Sequence, residues 1–177
     1  MTYAQADRYK KAFNAPAVTS VNLFLSGTAV VKYGNQKSNP NIYFTGSDEN
    51  YLVTSGKKLA FGRNFSAAEL EHGEGVVIIG DEIKKRLFKN EDPINKYIFV
   101  GKNRFRIVGI VASKGSSGFG PGDKFCVIPV LKAKQVDTVS NPSLSITVDA
   151  LASASFDATK GEAISTFRNV RGLAVVN

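Results

Sequence analysis

An α+β fold with two subdomains is what this sequence predicts, and three observations predict it. β-type and helix-type segments are mixed along the chain without regular β-α-β alternation, no internal repeat organises them, and charge is unevenly distributed. From residue 84 to 134 twelve Lys and Arg stand against Glu91, Asp92 and Asp123, while the remainder holds eleven basic and twelve acidic residues. That break, with small loops either side of it, divides the chain into an outer mixed α/β unit, residues 1–74 and 137–177, and an inserted mostly-β unit, residues 75–136. At 177 residues and 43% hydrophobic the chain is able to bury a real core.

Thr2-Tyr3-Ala4-Gln5 reads as a capping box, and Tyr9 and Phe13 follow at helical spacing, so a helix is expected over 3–13, stopped before Pro16. Residues 18–33 form a long β-type run in which Gly27 predicts a bulge or bend. A polar turn over 34–40 then returns the chain into Ile42-Tyr43-Phe44-Thr45 as a hairpin. Ser66-Ala67-Ala68-Glu69 is a second capping box, opening a short helix to about Glu71. Val76-Val77-Ile78-Ile79 is a compact apolar strand, and Asp81 begins a helix whose Ile83 and Leu87 lie one turn apart on the buried side.

Asp92-Pro93 sets a turn, since proline holds φ near the value a turn requires. Residues 97–100 and 104–111 are rich in aromatic and β-branched types and flank Gly101-Lys102-Asn103, a hairpin connection. Arg104 and Arg106 alternate with Phe105 and Ile107, giving that hairpin one wet face, while Tyr97 and Phe99 share a face as core residues would. After a glycine-rich loop over 113–124, residues 125–130 read as a strand containing the lone cysteine, Cys126, as a small buried hydrophobe. A strand over 144–148, a helix over 157–168 with Ile164 and Phe167 on one face, and a strand over 173–176 complete the expected elements.

The chemistry-bearing residues are sparse. A single cysteine excludes an internal disulfide, and His72, the only histidine, lacks the neighbours a zinc site or a catalytic triad requires. The glycine-rich loop feeds a strand, whereas a phosphate-binding loop must feed a helix N-terminus. Asp48-Glu49 and Glu91-Asp92 are adjacent in turns, which gives no general acid/base geometry. Asn64-Phe65-Ser66 is formally a glycosylation sequon, but Ser66 is better explained as a helix cap. No apolar run approaches the roughly 18–20 residues of a membrane helix, and no signal peptide is visible. No catalytic, cofactor-binding or metal-binding residue is therefore expected. The basic middle, with Phe88, Tyr97, Phe99 and Phe105 among its cations, has the composition of a nucleic-acid surface, but Lys84-Lys85-Arg86 reads as the solvated side of a helix.

Taken in order, Gly46-Ser47-Asp48 with Tyr51, Gly62-Arg63-Asn64-Phe65, Val76-Val77-Ile78-Ile79-Gly80, Leu87-Phe88, Asp92-Pro93-Ile94-Asn95-Lys96, Phe105-Arg106-Ile107-Val108-Gly109-Ile110, Ile128-Pro129 and the helix over 162–168 resemble the periplasmic core domain of MacB-type ABC transporter permeases. That family also contains lipoprotein-release and FtsX-like permeases. Its members more often carry Gly where this chain has Asn95, the non-glycine residue that best tolerates positive φ.

The resemblance implies an outer subdomain built from both chain ends and an inserted one from the middle. It also implies a parent with one membrane helix before Met1 and more after Asn177, and a location on the periplasmic or extracytoplasmic side of the bacterial inner membrane. ATP would be hydrolysed by a separate cytoplasmic domain or subunit, and the permease would act as a dimer. The function expected is a non-enzymatic domain that relays conformational change and contacts substrate or a partner protein. Arg104, Arg106 and Phe119 are the candidate contact residues, and a basic nucleic-acid-binding module is the alternative reading.

Overall fold

A computed structural model of the chain describes residues 1–113, 122–136 and 144–173. Phe119, most of the glycine-rich loop and the expected strand beyond Leu173 lie outside them. The elements run α1 (Tyr3–Ala12), β1 (Ala17–Ala29), β2 (Val31–Tyr33), β3 (Gln36–Lys37), β4 (Ile42–Ser47), α2 (Tyr51–Thr54), β5 (Leu59–Gly62), α3 (Ala67–His72), β6 (Val76–Gly80), α4 (Asp81–Ile83), β7 (Tyr97–Val100), β8 (Asn103–Val111), β9 (Phe125–Pro129), α5 (Val130–Val136), β10 (Leu144–Ala150) and α6 (Phe156–Arg171). Helices and a mixed sheet make the fold α+β.

The strands join in one sheet of order β10-β1-β4-β9-β6-β8-β7-β2-β3, with β5 added on β8. Strands β10, β1 and β4, from the chain ends, are neighbours, as are β9, β6, β8 and β7 from the middle. A parallel ladder from Tyr43 opposite Phe125 to Ser47 opposite Pro129 joins the two groups. Strands β6 and β9, VVIIG and FCVIP, are buried along their whole length. Their unbroken apolar runs have a physical cause: both faces of the sheet are covered there, so neither face has a use for polar residues. Val77, Ile79, Cys126 and Ile128 face a core shared with Ala6, Ile83, Leu87 and Ala133. Val76, Ile78, Phe125 and Val127 face the other side, against Leu52 and Phe65.

Local chemistry explains most boundaries. Both capping boxes form: the Thr2 hydroxyl accepts from the Gln5 amide and the Ser66 hydroxyl from the Glu69 amide, each answered by the reciprocal bond. The ladder of β1 against β4 slips between Phe24 and Ser26 and again before Ala29, around Gly27, as a bulge there requires. Asn95 has φ 65°, the left-handed turn that a glycine would adopt without cost.

Four expectations change. Val130 to Val136 forms α5, against the expectation that the strand continues to Val130; Pro129 before it has no side-chain group that could cap and announce a helix. Tyr51–Thr54 and Leu59–Gly62 form α2 and β5, too short for periodicity to declare. The helix begun at Asp81 widens into a π-turn over Lys84–Phe88, which lets the consecutive Leu87 and Phe88 both be buried. In α6 the buried residues are Thr159 and Thr166, with Ala163 and Phe167 half-buried on the same side, and Ile164 stays 47% exposed, off the expected buried face.

Candidate functional site

The hairpin β7–β8 presents the residues that the sequence singled out as contacts. Its inner face carries Ile98, Val100, Phe105 and Ile107, all buried. Its outer face carries Tyr97 directly opposite Arg106 and Phe99 directly opposite Arg104. Tyr97 and Phe99 are 46% and 42% exposed, so the expectation that they belong to the core is overturned. In Tyr-Ile-Phe-Val every residue is apolar, so the two-residue period cannot say which pair points inward, and the neighbouring strands decide.

The two arginines have different surroundings. The Arg104 guanidinium lies 4.6 Å from the centre of the Tyr97 ring and is otherwise exposed, a cation–π arrangement. Arg106 donates to Asn95 Oδ1 at 3.2 Å and to Glu69 Oε1 at 3.5 Å. Glu69 also receives a fork from Arg63, at 2.8 Å and 2.7 Å, and the Ser66 backbone N–H at 2.9 Å. Chiefly through the Arg63 hydrogen bonds, its carboxyl is held down at about 2. Arg63 is itself placed by a close backbone approach: its N–H donates to the Val108 carbonyl, and a Cβ at Gly109 would meet the Arg63 carbonyl oxygen at 2.5 Å. Glycine-arginine and the capping glutamate were legible as separate motifs; their meeting was not, because it crosses from β5 to α3 and β8.

A second region couples α1 to the body. Ala6 and Tyr9 are buried, with Phe13 stacked on Tyr9 at 5.4 Å between ring centres. Lys10 Nζ donates to Asp48 at 2.9 Å and Glu49 at 3.0 Å. Partial burial opposes the lysine charge, but those hydrogen bonds outweigh it and raise its pKa. Asp48 in turn accepts from the backbone N–H groups of Val21 and Asn50, so the carboxylate ties helix, strand and turn together. The Asn14 backbone N–H donates to Glu162 of α6 at 3.0 Å, and both helices pack against edge strand β10. Beside α1 lies an open cleft of about 530 Å³ whose lining includes Tyr3, Asp7, Lys10, Glu49, Phe65 and Glu71.

Little else invites chemistry. His72 ends α3 in solvent with Nδ1 2.8 Å from the Ala68 carbonyl oxygen. Among the described residues no group of three His, Cys, Asp or Glu is placed to hold a metal, and no helix is long and apolar enough to cross a membrane. Every buried polar side-chain atom described has a partner.

The MacB-like periplasmic core domain family matches residues 1–166. The macrolide export ATP-binding/permease protein MacB of Aggregatibacter actinomycetemcomitans is 31% identical over 107 residues, covering 60% of this chain and 16% of the relative. The pyoverdine export ATP-binding/permease protein PvdT of Pseudomonas aeruginosa is 31% identical over 109 residues, covering 62% and 16%. This chain thus corresponds to about a sixth of the length of those relatives. Among solved structures, the periplasmic region of MacB from Actinobacillus actinomycetemcomitans superposes with a TM-score of 0.75 at 20% identity, over 95% of this chain and 74% of that one. The extracellular domain of the noncanonic ABC-type transporter YknZ from Gram-positive bacteria gives 0.74 at 16% identity, over 98% and 86%. At those identities the likeness is one of fold, and with the family match it leads to one conclusion: the chain belongs to the MacB-like periplasmic core domains of ABC transporter permeases.

Proposed function

We propose that this domain is the extracytoplasmic relay of an ABC export permease, standing outside the bacterial inner membrane. Membrane segments flanking it in the longer polypeptide drive it through α1 and α6, while ATP is hydrolysed by a cytoplasmic domain or subunit. A second permease copy faces it. The outer unit, residues 1–74 and 137–177, and the inserted unit, 75–136, are joined through the β4–β9, β2–β7 and β5–β8 ladders. The outer face of β7–β8, with Arg104 and Arg106, contacts a partner or cargo, and Phe119 is a further contact residue.

What supports this reading is the fastening of α1 and α6 to each other and to the body. Tyr9 is only 2% exposed, Lys10 is gripped by two carboxylates, and Asn14 is bonded to Glu162. A helix held that firmly transmits displacement to the sheet, since packed interiors are stiff.

The test is a flexible Gly-Ser insertion immediately before Met1 in the full-length permease, which slackens the connection while leaving Met1 packed on the core and the Thr2 cap in place. Export is expected to fall while ATP turnover continues. Full export with the insertion in place would refute the relay.

A further inference from the structure

Beyond α3 the outer face of the basic half is uncovered, and its registers place four strands' side chains in one row. Lys37 on β3 is directly opposite Lys32 on β2, Lys32 is opposite Phe99 on β7, and Phe99 is opposite Arg104 on β8. Directly paired residues point to the same face, so Lys37, Lys32, Phe99 and Arg104 form a line perpendicular to the strands. Tyr97 and Arg106 make a second, shorter line beside it. All six are exposed or half-buried.

This row is costly to the fold. Like charges directly opposite one another across a ladder are destabilising, and neither Lys32 nor Lys37 has an ion-pair partner among the described residues. Glu91, which reaches the end of β2, is taken up by the Tyr33 hydroxyl and by Lys96. An edge lysine alone guards a sheet against edge-to-edge pairing, but that role asks nothing of two half-exposed aromatic rings in the same patch. Aromatic residues and arginine together are the composition of interface anchors.

The spacing narrows the occupant. Strands lie about 4.8 Å apart, so the row offers cationic or aromatic contacts at that interval. A helix laid across the strands advances about 4.5–6 Å every three to four residues. Glutamates or aspartates at that spacing meet Lys37, Lys32 and Arg104 in turn, with apolar side chains against Phe99 and Tyr97. Arg106 is drawn towards Glu69 and steadies the margin of the patch.

We infer that the outer face of β3–β2–β7–β8 docks an acidic helical segment of a partner polypeptide. This rests on the contact surface in the function proposed above and gives its partner a chemistry. The test uses this chain with a fluorescein-labelled helical peptide carrying glutamates three and four residues apart, read by anisotropy at low salt. Binding is expected to weaken as salt rises and to fall at least about tenfold in the Lys32→Glu/Arg104→Glu variant. A Phe99→Ser variant with unchanged thermal unfolding should also bind more weakly. Phosphatidylglycerol vesicles and a single-stranded oligonucleotide are run alongside. Absence of peptide binding, peptide binding indifferent to the charge reversals, or tighter binding of either other polyanion overturns the inference. The relay is tested by the insertion before Met1, which leaves this face intact, so the two ideas fail separately.

Discussion

Removing one charge from the Glu69 cluster should produce a stability loss that depends on pH in a defined direction. Glutamine at position 69 keeps the capping role, because a capping box accepts Glu or Gln three residues after the serine. What Glu69→Gln removes is the ion pairing with Arg63 and Arg106. The Glu69 carboxyl sits at about 2 rather than the ordinary 4.5. At about 1.36 kcal/mol per pH unit, that difference corresponds to about 3 kcal/mol if unscreened. Arg63 is 50% exposed along its side chain, and water on its open side reduces the contribution to about 1–2 kcal/mol.

The sign follows from the depressed pKa: the contribution is complete above pH 4.5 and is lost as pH falls towards 2. At pH 7 the Glu69→Gln variant should therefore unfold about 2–8 °C below the parent, at about 2–4 °C per kcal/mol for a chain of this size. The gap should narrow steadily between pH 5 and pH 2. Paired thermal or urea unfolding curves followed by circular dichroism measure it, and other carboxylates cancel between the two proteins. A gap that stays constant down to pH 2 would show that the loss is steric rather than electrostatic and would refute the reasoning.

Other expectations concern packing and backbone geometry. Gly46→Ala should destabilise by about 1–3 kcal/mol or more, because the new Cβ would lie 2.2 Å from the Ala133 Cβ where β4 meets α5; urea midpoints check it. Asn95→Ala should be less stable than Asn95→Gly by about 1 kcal/mol, since both lose the bond to Arg106 and only alanine resists φ 65°. Tyr9→Ala should cost about 3 kcal/mol or more and release α1, seen as faster hydrogen exchange over residues 3–12 than over β6. The Cys126 thiol is fully buried and its pKa is pushed well up by burial, so a thiol reagent should label it only as fast as the domain unfolds.

Much of this domain is legible in its sequence, and the reasons lie in local physics. Thr2 and Ser66 announce helix starts because a cap is a bond between a side chain and an amide three residues away. VVIIG and FCVIP announce buried central strands because a two-faced burial demands an unbroken apolar run. Asn95 and Gly101 mark turns because positive φ is open to few residue types. The elements without a local signal, α2, β5 and α5, are short, and pairing with β8 holds β5 while packing on the sheet holds the two helices.

The candidate surface shows the same boundary. The alternation of Arg104 and Arg106 with Phe105 and Ile107 determines by itself that β8 has a wet face and a dry one. Composition likewise determines that the middle of the chain is basic. Which way Tyr97 and Phe99 point was decided only when β7 found its partners, because an all-apolar strand has no preferred side until another layer covers one. Strand order likewise put Lys37, Lys32, Phe99 and Arg104 on one line, although they span residues 32 to 104, and a buried carboxylate at Glu69 drew Arg63 and Arg106 together from different strands. Capping and burial periodicity act over a few residues and can be read from them, whereas register and ion pairing act across the whole sheet and exist only once it has closed.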